Sequence, residues 1–148
     1  MRAVVQRVSE AAVEVAGETV GRIDRGLLVL VGVSIADGPA DADWLADRLV
    51  GLRIFADAEG RFDASVQDVA GAVLLVSQFT LCADTRKGRR PSFTGAARPE
   101  QAEPLYRRVA DGVAARGVPI GTGRFGAHMQ VRSVNDGPVT ILLDSREA

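Results

Sequence analysis

Residues 72–81 read AVLLVSQFTL, an apolar run that ends in the polar residues Ser77, Gln78 and Thr80. Residues 27–33, LLVLVGV, are likewise continuously apolar. Runs of this length and composition are those of strands covered on both faces, so the two predict the centre of a sheet with layers on either side. Around them, RAVVQRV at 2–8 and AAVEV at 11–15 are β-branched and partly alternating, and Gly17-Glu18 turns the chain into a hairpin partner at 20–23. Trp44, Leu45, Arg48, Leu49 and Leu52 recur at helical spacing and predict a helix over 43–53, with Asp41 or Asp43 as its cap. Arg53-Ile54-Phe55 reads as a short strand before the turn at 57–60. A second helix is predicted over 99–116, with Ala102, Leu105, Tyr106, Val109 and Val113 on one side. Pro99 suits its first turn and Pro104 is awkward inside it. The tail reads as two strands, 128–134 and 139–145, joined by a turn at Asn135-Asp136-Gly137-Pro138. Strands interleaved with two main helices predict a single α/β domain, spanning 1–148, with a mixed sheet.

Composition narrows the chemistry. The chain has 148 residues, 47% hydrophobic and 25% charged, the ordinary mix of a globular domain. One cysteine, Cys82, excludes an internal disulfide. One cysteine and one histidine, His128, cannot assemble a structural zinc site. No apolar run reaches the roughly 20 residues of a membrane-spanning helix, and no leader precedes the first strand; the expectation is a cytoplasmic protein without membrane contact. The net charge is −1, but residues 1–84 carry 7 basic and 13 acidic side chains against 11 and 6 in 85–148. That asymmetry permits an electropositive face on a nearly neutral protein.

Three segments can carry chemistry. Ser77, Gln78, Phe79 and Thr80 lie at the end of a buried strand, where polar groups point into a site at the sheet's edge or satisfy the backbone there. The loop that follows, TRKGRRPSFTGAAR at 85–98, offers Arg86, Lys87, Arg89 and Arg90 beside Phe93. Guanidinium forks suit phosphate, and the alternative is a solvated loop. Gly137-Pro138 lies in a tight turn, the usual setting of a cis X-Pro bond. His128 has no identifiable acidic partner and reads as an ordinary strand residue.

In this order and spacing, QRV at 6–8, GLLVLVGV at 26–33, RIF at 53–55, VSQFTL at 76–81, RPSF at 90–93, TGRFGAHMQV at 122–131 and NDGPVT at 135–140 resemble the D-aminoacyl-tRNA deacylase family over essentially the whole chain. The resemblance implies that family's barrel-like mixed sheet. It also implies a homodimer that hydrolyses the ester between a D-amino acid, or glycine, and the 3′-terminal adenosine of tRNA. Each pocket would be composite, with Ser77, Gln78, Phe79 and Thr80 from one subunit and a cis Gly137-Pro138 from the other. Arg7 would brace that dipeptide, Phe125 and Met129 would line the pocket, and Ala102 would stand beside it. No cofactor and no metal-ligating residue is expected. An aminoacyl ester is already activated and has a ribose 2′-OH as neighbour, so positioning and oxyanion stabilisation suffice without a strong base. Thr80 as covalent nucleophile ranks second, since nothing nearby in sequence would activate it. Two other readings are a non-catalytic RNA-binding module and an esterase that pairs Ser77 with His128.

Overall fold

The computed structural model describes residues 1–147. Its backbone strand is β1, Arg2–Val15, which runs unbroken where the sequence predicts two strands. Its buried residues explain both readings. Ala3 and Val5 face one core, while Val8, Ala11 and Val13 face another. The inward phase slips at the irregularities around Val8, so one strand serves two layers. Along one edge, Arg2–Val8 pairs with β3 (Gly26–Gly32) and Ala11–Val15 pairs with β2 (Glu18–Ile23), both antiparallel.

The other edge of β1 carries β8, Gln130–Asp144, a single strand where two strands and a turn are expected. The chain cannot reverse at Gly137-Pro138 because both flanks pair with β1. Thr140–Asp144 lies on Arg2–Gln6, and Gln130–Asn135 lies on Val8–Glu14. Between Asn135 and Thr140 the strand spends five residue steps against two on β1, so Asp136-Gly137-Pro138 bulges out as a corner.

β3 continues in parallel to β6 (Ala72–Ser77), and β6 to β7 (Ile120–Thr122), a three-residue strand without a sequence signal. β2 folds round to meet β7, nearly closing the sheet. A Cβ on Gly21 would stand 2.4 Å from the Thr122 carbonyl oxygen, so only glycine allows that approach. The helices α1 (Pro39–Gly51) and α2 (Pro99–Ala115) cover one face with Leu45, Leu49, Leu105, Val109 and Val113. Leu28, Leu74 and Val76 point into the curled interior, so β3 and β6 are buried on both faces as their sequences predict.

α1 starts four residues earlier than expected. Pro39 enters at the first turn, and the Asp41 carboxylate accepts the Gly38 N–H at 2.8 Å instead of capping as the first residue. Arg53-Ile54-Phe55 contributes only Phe55 to a strand: β4, Phe55–Ala56, forms a small hairpin with β5, Phe62–Ala64. β6 stops at Ser77, four residues short of the expected end, because β3 ends beside it at Gly32. The Gln78 N–H still bonds the Val31 carbonyl at 2.7 Å, and Phe79–Cys82 then turn as a 3-10 segment.

Candidate active site

The end of β6, the 3-10 turn, the first turns of α2 and the loop 123–129 enclose a cleft of about 600 Å³. Its deep walls are apolar, with Val31 and Val76 from the parallel strands and Val33 just past the end of β3. Six residues expected at the site converge on it: Ser77, Gln78, Phe79, Ala102, Phe125 and Met129. They arrive in three groups, Ser77 to Phe79 where β6 ends, Ala102 on α2, and Phe125 with Met129 on the loop before β8, and the sequence distance between the groups disguises their proximity. Thr80 stands one step beyond the lining, where its Oγ1 accepts a hydrogen bond from the Gln78 amide at 2.5 Å.

The 3-10 turn sets the polar end of the cleft. Its first N–H groups, at Phe79 and Thr80, make no hydrogen bond among the described residues. A turn entered this way leaves its opening donors without carbonyl partners, and the first of them belongs to Phe79, which lines the cleft. Ser77 and His128 both border the cleft, yet among the described residues they share no hydrogen bond and no carboxylate orients His128. The pairing needed by a serine esterase is not formed.

Two aromatic residues at the cleft, Tyr106 and Phe93, are named in the sequence reading but not as pocket residues. Tyr106 reads there only as one residue of an apolar helix face. It is 4% exposed, its hydroxyl donates to the Leu75 carbonyl at 2.7 Å, and its ring meets Phe125 at 5.8 Å between centroids. The same Leu75 carbonyl accepts the Gly123 N–H at 2.9 Å, so α2, β6 and the Phe125 loop are tied at one oxygen. Burial pushes the Tyr106 hydroxyl up to about 12. Phe93, from the long basic loop, stands edge-on to Phe79 at 5.1 Å between centroids.

The remaining expected residues lie outside this cleft. Gly137 and Pro138 are exposed at the β8 corner, and the bond between them is cis. Arg7 braces the corner: its Nε donates to the Asp136 carbonyl at 2.8 Å, and Nη1 donates to the Ile54 carbonyl at 2.7 Å. Its guanidinium also lies over the Phe62 ring at 5.1 Å. From the other side, Asn135 clasps Val139, accepting its N–H at 2.7 Å and donating to its carbonyl at 3.2 Å.

In the basic loop, Arg86 is held by Asp84, and that hydrogen-bonded pair keeps the Asp84 carboxyl well below the usual carboxylate range. Lys87, Arg89 and Arg90 are exposed and make no ion pair among the described residues. No cluster of three or more His, Cys, Asp or Glu side chains there is arranged to hold a metal ion. No described helix is long and apolar enough to cross a membrane.

Comparison with known proteins places this architecture. A family model described as D-Tyr-tRNA(Tyr) deacylase matches residues 4–144. A D-aminoacyl-tRNA deacylase of Symbiobacterium thermophilum is 59% identical over 147 residues, covering 99% of this chain and 97% of that protein. One from Chloroflexus aurantiacus is 60% identical over 147 residues, covering 99% and 92%. Among solved structures, the c-Myc DNA unwinding element binding protein superposes with a TM-score of 0.92 at 42% identity, covering 97% of this chain and 98% of that one. A probable eukaryotic D-amino acid tRNA deacylase has a TM-score of 0.81 over 96% and 97% of the two chains; at 21% identity it supports the shared fold alone. On its sequence from end to end, this chain belongs to the D-Tyr-tRNA(Tyr) deacylase family.

Proposed function

We propose that the protein is a D-aminoacyl-tRNA deacylase, which hydrolyses the ester between a D-amino acid, or glycine, and the 3′-terminal adenosine of tRNA. The observation that carries the chemistry is the pair of unengaged N–H groups at Phe79, which lines the apolar cleft, and at Thr80, one residue beyond its lining. Water adds to the ester carbonyl carbon, and the two N–H groups receive the negative charge that develops on its oxygen. The bond to the ribose 3′ oxygen then breaks, that oxygen takes one proton of the attacking water, the other passes to solvent, and the amino acid leaves as a carboxylate. The adjacent 2′-OH orients the attacking water, so the protein contributes position and charge stabilisation, not a base. Phe125, Met129 and Ala102 supply the apolar walls against which the terminal nucleoside rests.

Thr80 is not the nucleophile in this scheme. Its oxygen accepts a hydrogen bond from Gln78, which draws electron density away, and no neighbouring base takes its proton.

The reading includes a homodimer in which the Gly137-Pro138 corner of one copy enters the cleft of the other. What supports it is that the corner is exposed and braced yet lies outside its own cleft, while Val131, Val134 and Leu142 leave apolar surface on β8 for a second copy to cover. Corner carbonyls facing the chiral carbon would collide with an L side chain and spare hydrogen or a D side chain. Charged tRNA is the substrate, and the cytoplasm is where this enzyme works.

The deciding experiment compares D-Tyr-tRNA and L-Tyr-tRNA with substoichiometric purified protein. Rapid loss of the D ester with the L ester intact is expected. Cleavage of both would retain the hydrolase and remove the rejection role of the corner. A folded protein that binds tRNA and cleaves neither would favour a nucleic-acid-binding module, the reading that the name of the DNA unwinding element binding protein and the exposed basic loop also favour. Sedimentation tests the dimer; a fully active monomer would contradict the composite pocket.

A further inference from the structure

We infer that Phe93, set against Phe79, forms a stacking platform for the base preceding the terminal adenosine, so the enzyme grips two nucleotides of the acceptor end and not one. The inference rests on the deacylase reading for its ligand, an RNA 3′ end. It is carried by where the two rings stand. Phe79 is 56% exposed and Phe93 37% exposed, although both border the cleft, and they are the most exposed aromatic side chains there. The rings meet edge to face, with 70° between their planes, so the pair leaves ring face open instead of consuming it by stacking on itself.

The deep walls are apolar and closed by α2, so a polynucleotide whose last nucleoside fills the cleft must leave over the open rim that carries these rings. The same loop that delivers Phe93 carries Lys87, Arg89 and Arg90, all exposed and without an acidic partner among the described residues. Exposed aromatic rings beside unpaired cations are the pattern with which proteins hold single-stranded nucleic acid: rings take base faces and cations follow the phosphates. The bridge between Asp84 and Ser92, with N–H to carbonyl bonds of 2.8 and 2.9 Å in both directions, pins the base of the loop just before Phe93. The ring is therefore presented by a fixed stem while the basic tip stays solvent-facing.

Phe93→Ala tests this. On D-Tyr-tRNA the variant should raise KM roughly 5- to 150-fold, the worth of one stacked base, with kcat little changed. On D-tyrosyl-adenosine, which lacks the second base, KM should not move. Phe93→Trp should restore the wild-type KM, since indole stacks as well as phenyl. A D-Tyr-tRNA with an abasic penultimate nucleotide should cost the wild type the same factor and cost Phe93→Ala nothing further. Equal KM increases on both substrates, or losses that multiply, would overturn the platform. If the wild-type protein cleaves no D ester, the deacylase reading fails separately. Anisotropy with a labelled, uncharged CCA trinucleotide then decides the platform alone: weaker binding by Phe93→Ala upholds it, and equal binding overturns it.

Discussion

Tyr106 is the only tyrosine in the chain, so its ionisation can be followed in the intact protein without a label. Replacing it by phenylalanine keeps the ring against Phe125 and removes one hydrogen bond to the Leu75 carbonyl. That carbonyl retains the Gly123 N–H, so no acceptor is orphaned, and the expected loss at neutral pH is about 1 kcal/mol. The pH dependence is more telling. The hydroxyl titrates at about 12 in the fold against 10.0 as the ordinary value. Between those values the unfolded chain has lost a proton that the folded chain still holds, so stability falls as pH rises through this window. The contribution is complete below pH 10 and gone above about 12, and the gap corresponds to roughly 3 kcal/mol. Tyr106→Phe lacks this decline. The variant should therefore be less stable than the wild type at pH 7 and more stable above roughly pH 11, with the curves crossing between. Urea unfolding at a series of alkaline pH values reads the crossing, and tyrosinate absorbance reads the titration directly. A folded-state midpoint near 10, or parallel stability curves, would refute the account of Tyr106 as a buried bolt.

Other perturbations address the corner, the core and the loop. Gly137→Ala places a methyl 2.7 Å from Val139 Cγ2 at a φ of +150°, so it should cost roughly 1–3 kcal/mol and open the enzyme to L-Tyr-tRNA, which the two-ester assay measures. Leu45→Ala empties a fully buried site between α1 and the sheet and should lower unfolding free energy by about 2–5 kcal/mol in a urea titration, with an unchanged baseline arguing against that packing. Binding of tRNA should weaken as salt rises. Alanine at both Arg89 and Arg90 should flatten the log–log slope by about 1.5, whereas an unaltered slope would remove these guanidiniums from the phosphate contacts.

The central sheet is legible in the sequence because its signal is local. Strand β3 has no polar side chain, β6 has none before its last residue, Ser77, and α2 carries one apolar stripe, so none of them needs a partner to be recognised. The errors come where a distant partner decides. Asn135-Asp136-Gly137-Pro138 has the composition of a turn, and only the pairing of both flanks with β1 converts it into a bulge. β7 is three residues whose strand character exists only beside β6. The polar tail of 72–81 continues a strand pattern, but β3 has ended and left it no neighbour. The same division runs through the cleft. Ser77, Gln78 and Thr80 stand out as polar residues ending an apolar run, with Phe79 between them. Arg7, Ala102, Phe125 and Met129 come only from the resemblance, since no local pattern marks them. Tyr106 hides as an ordinary core position, and Phe93 is legible only as the aromatic residue within a basic loop.

The corner in β8 has a dynamic consequence. A Gly-Pro dipeptide at a loop tip opens by fraying, at little cost. Here the segments on both sides are laddered to the same strand, and Arg7 and Asn135 clamp the bulge itself. To open the corner, the protein must unzip one half of β8 from β1, which belongs to the cooperative unit of the sheet. Amide protons of Val139 and Thr140 should accordingly exchange with solvent at rates near those of the central strands, even though the dipeptide beside them is exposed. Lengthening the chain by a single residue there would shift one flank's register and turn its inward side chains outward. The corner is surface in its exposure and core in its rigidity.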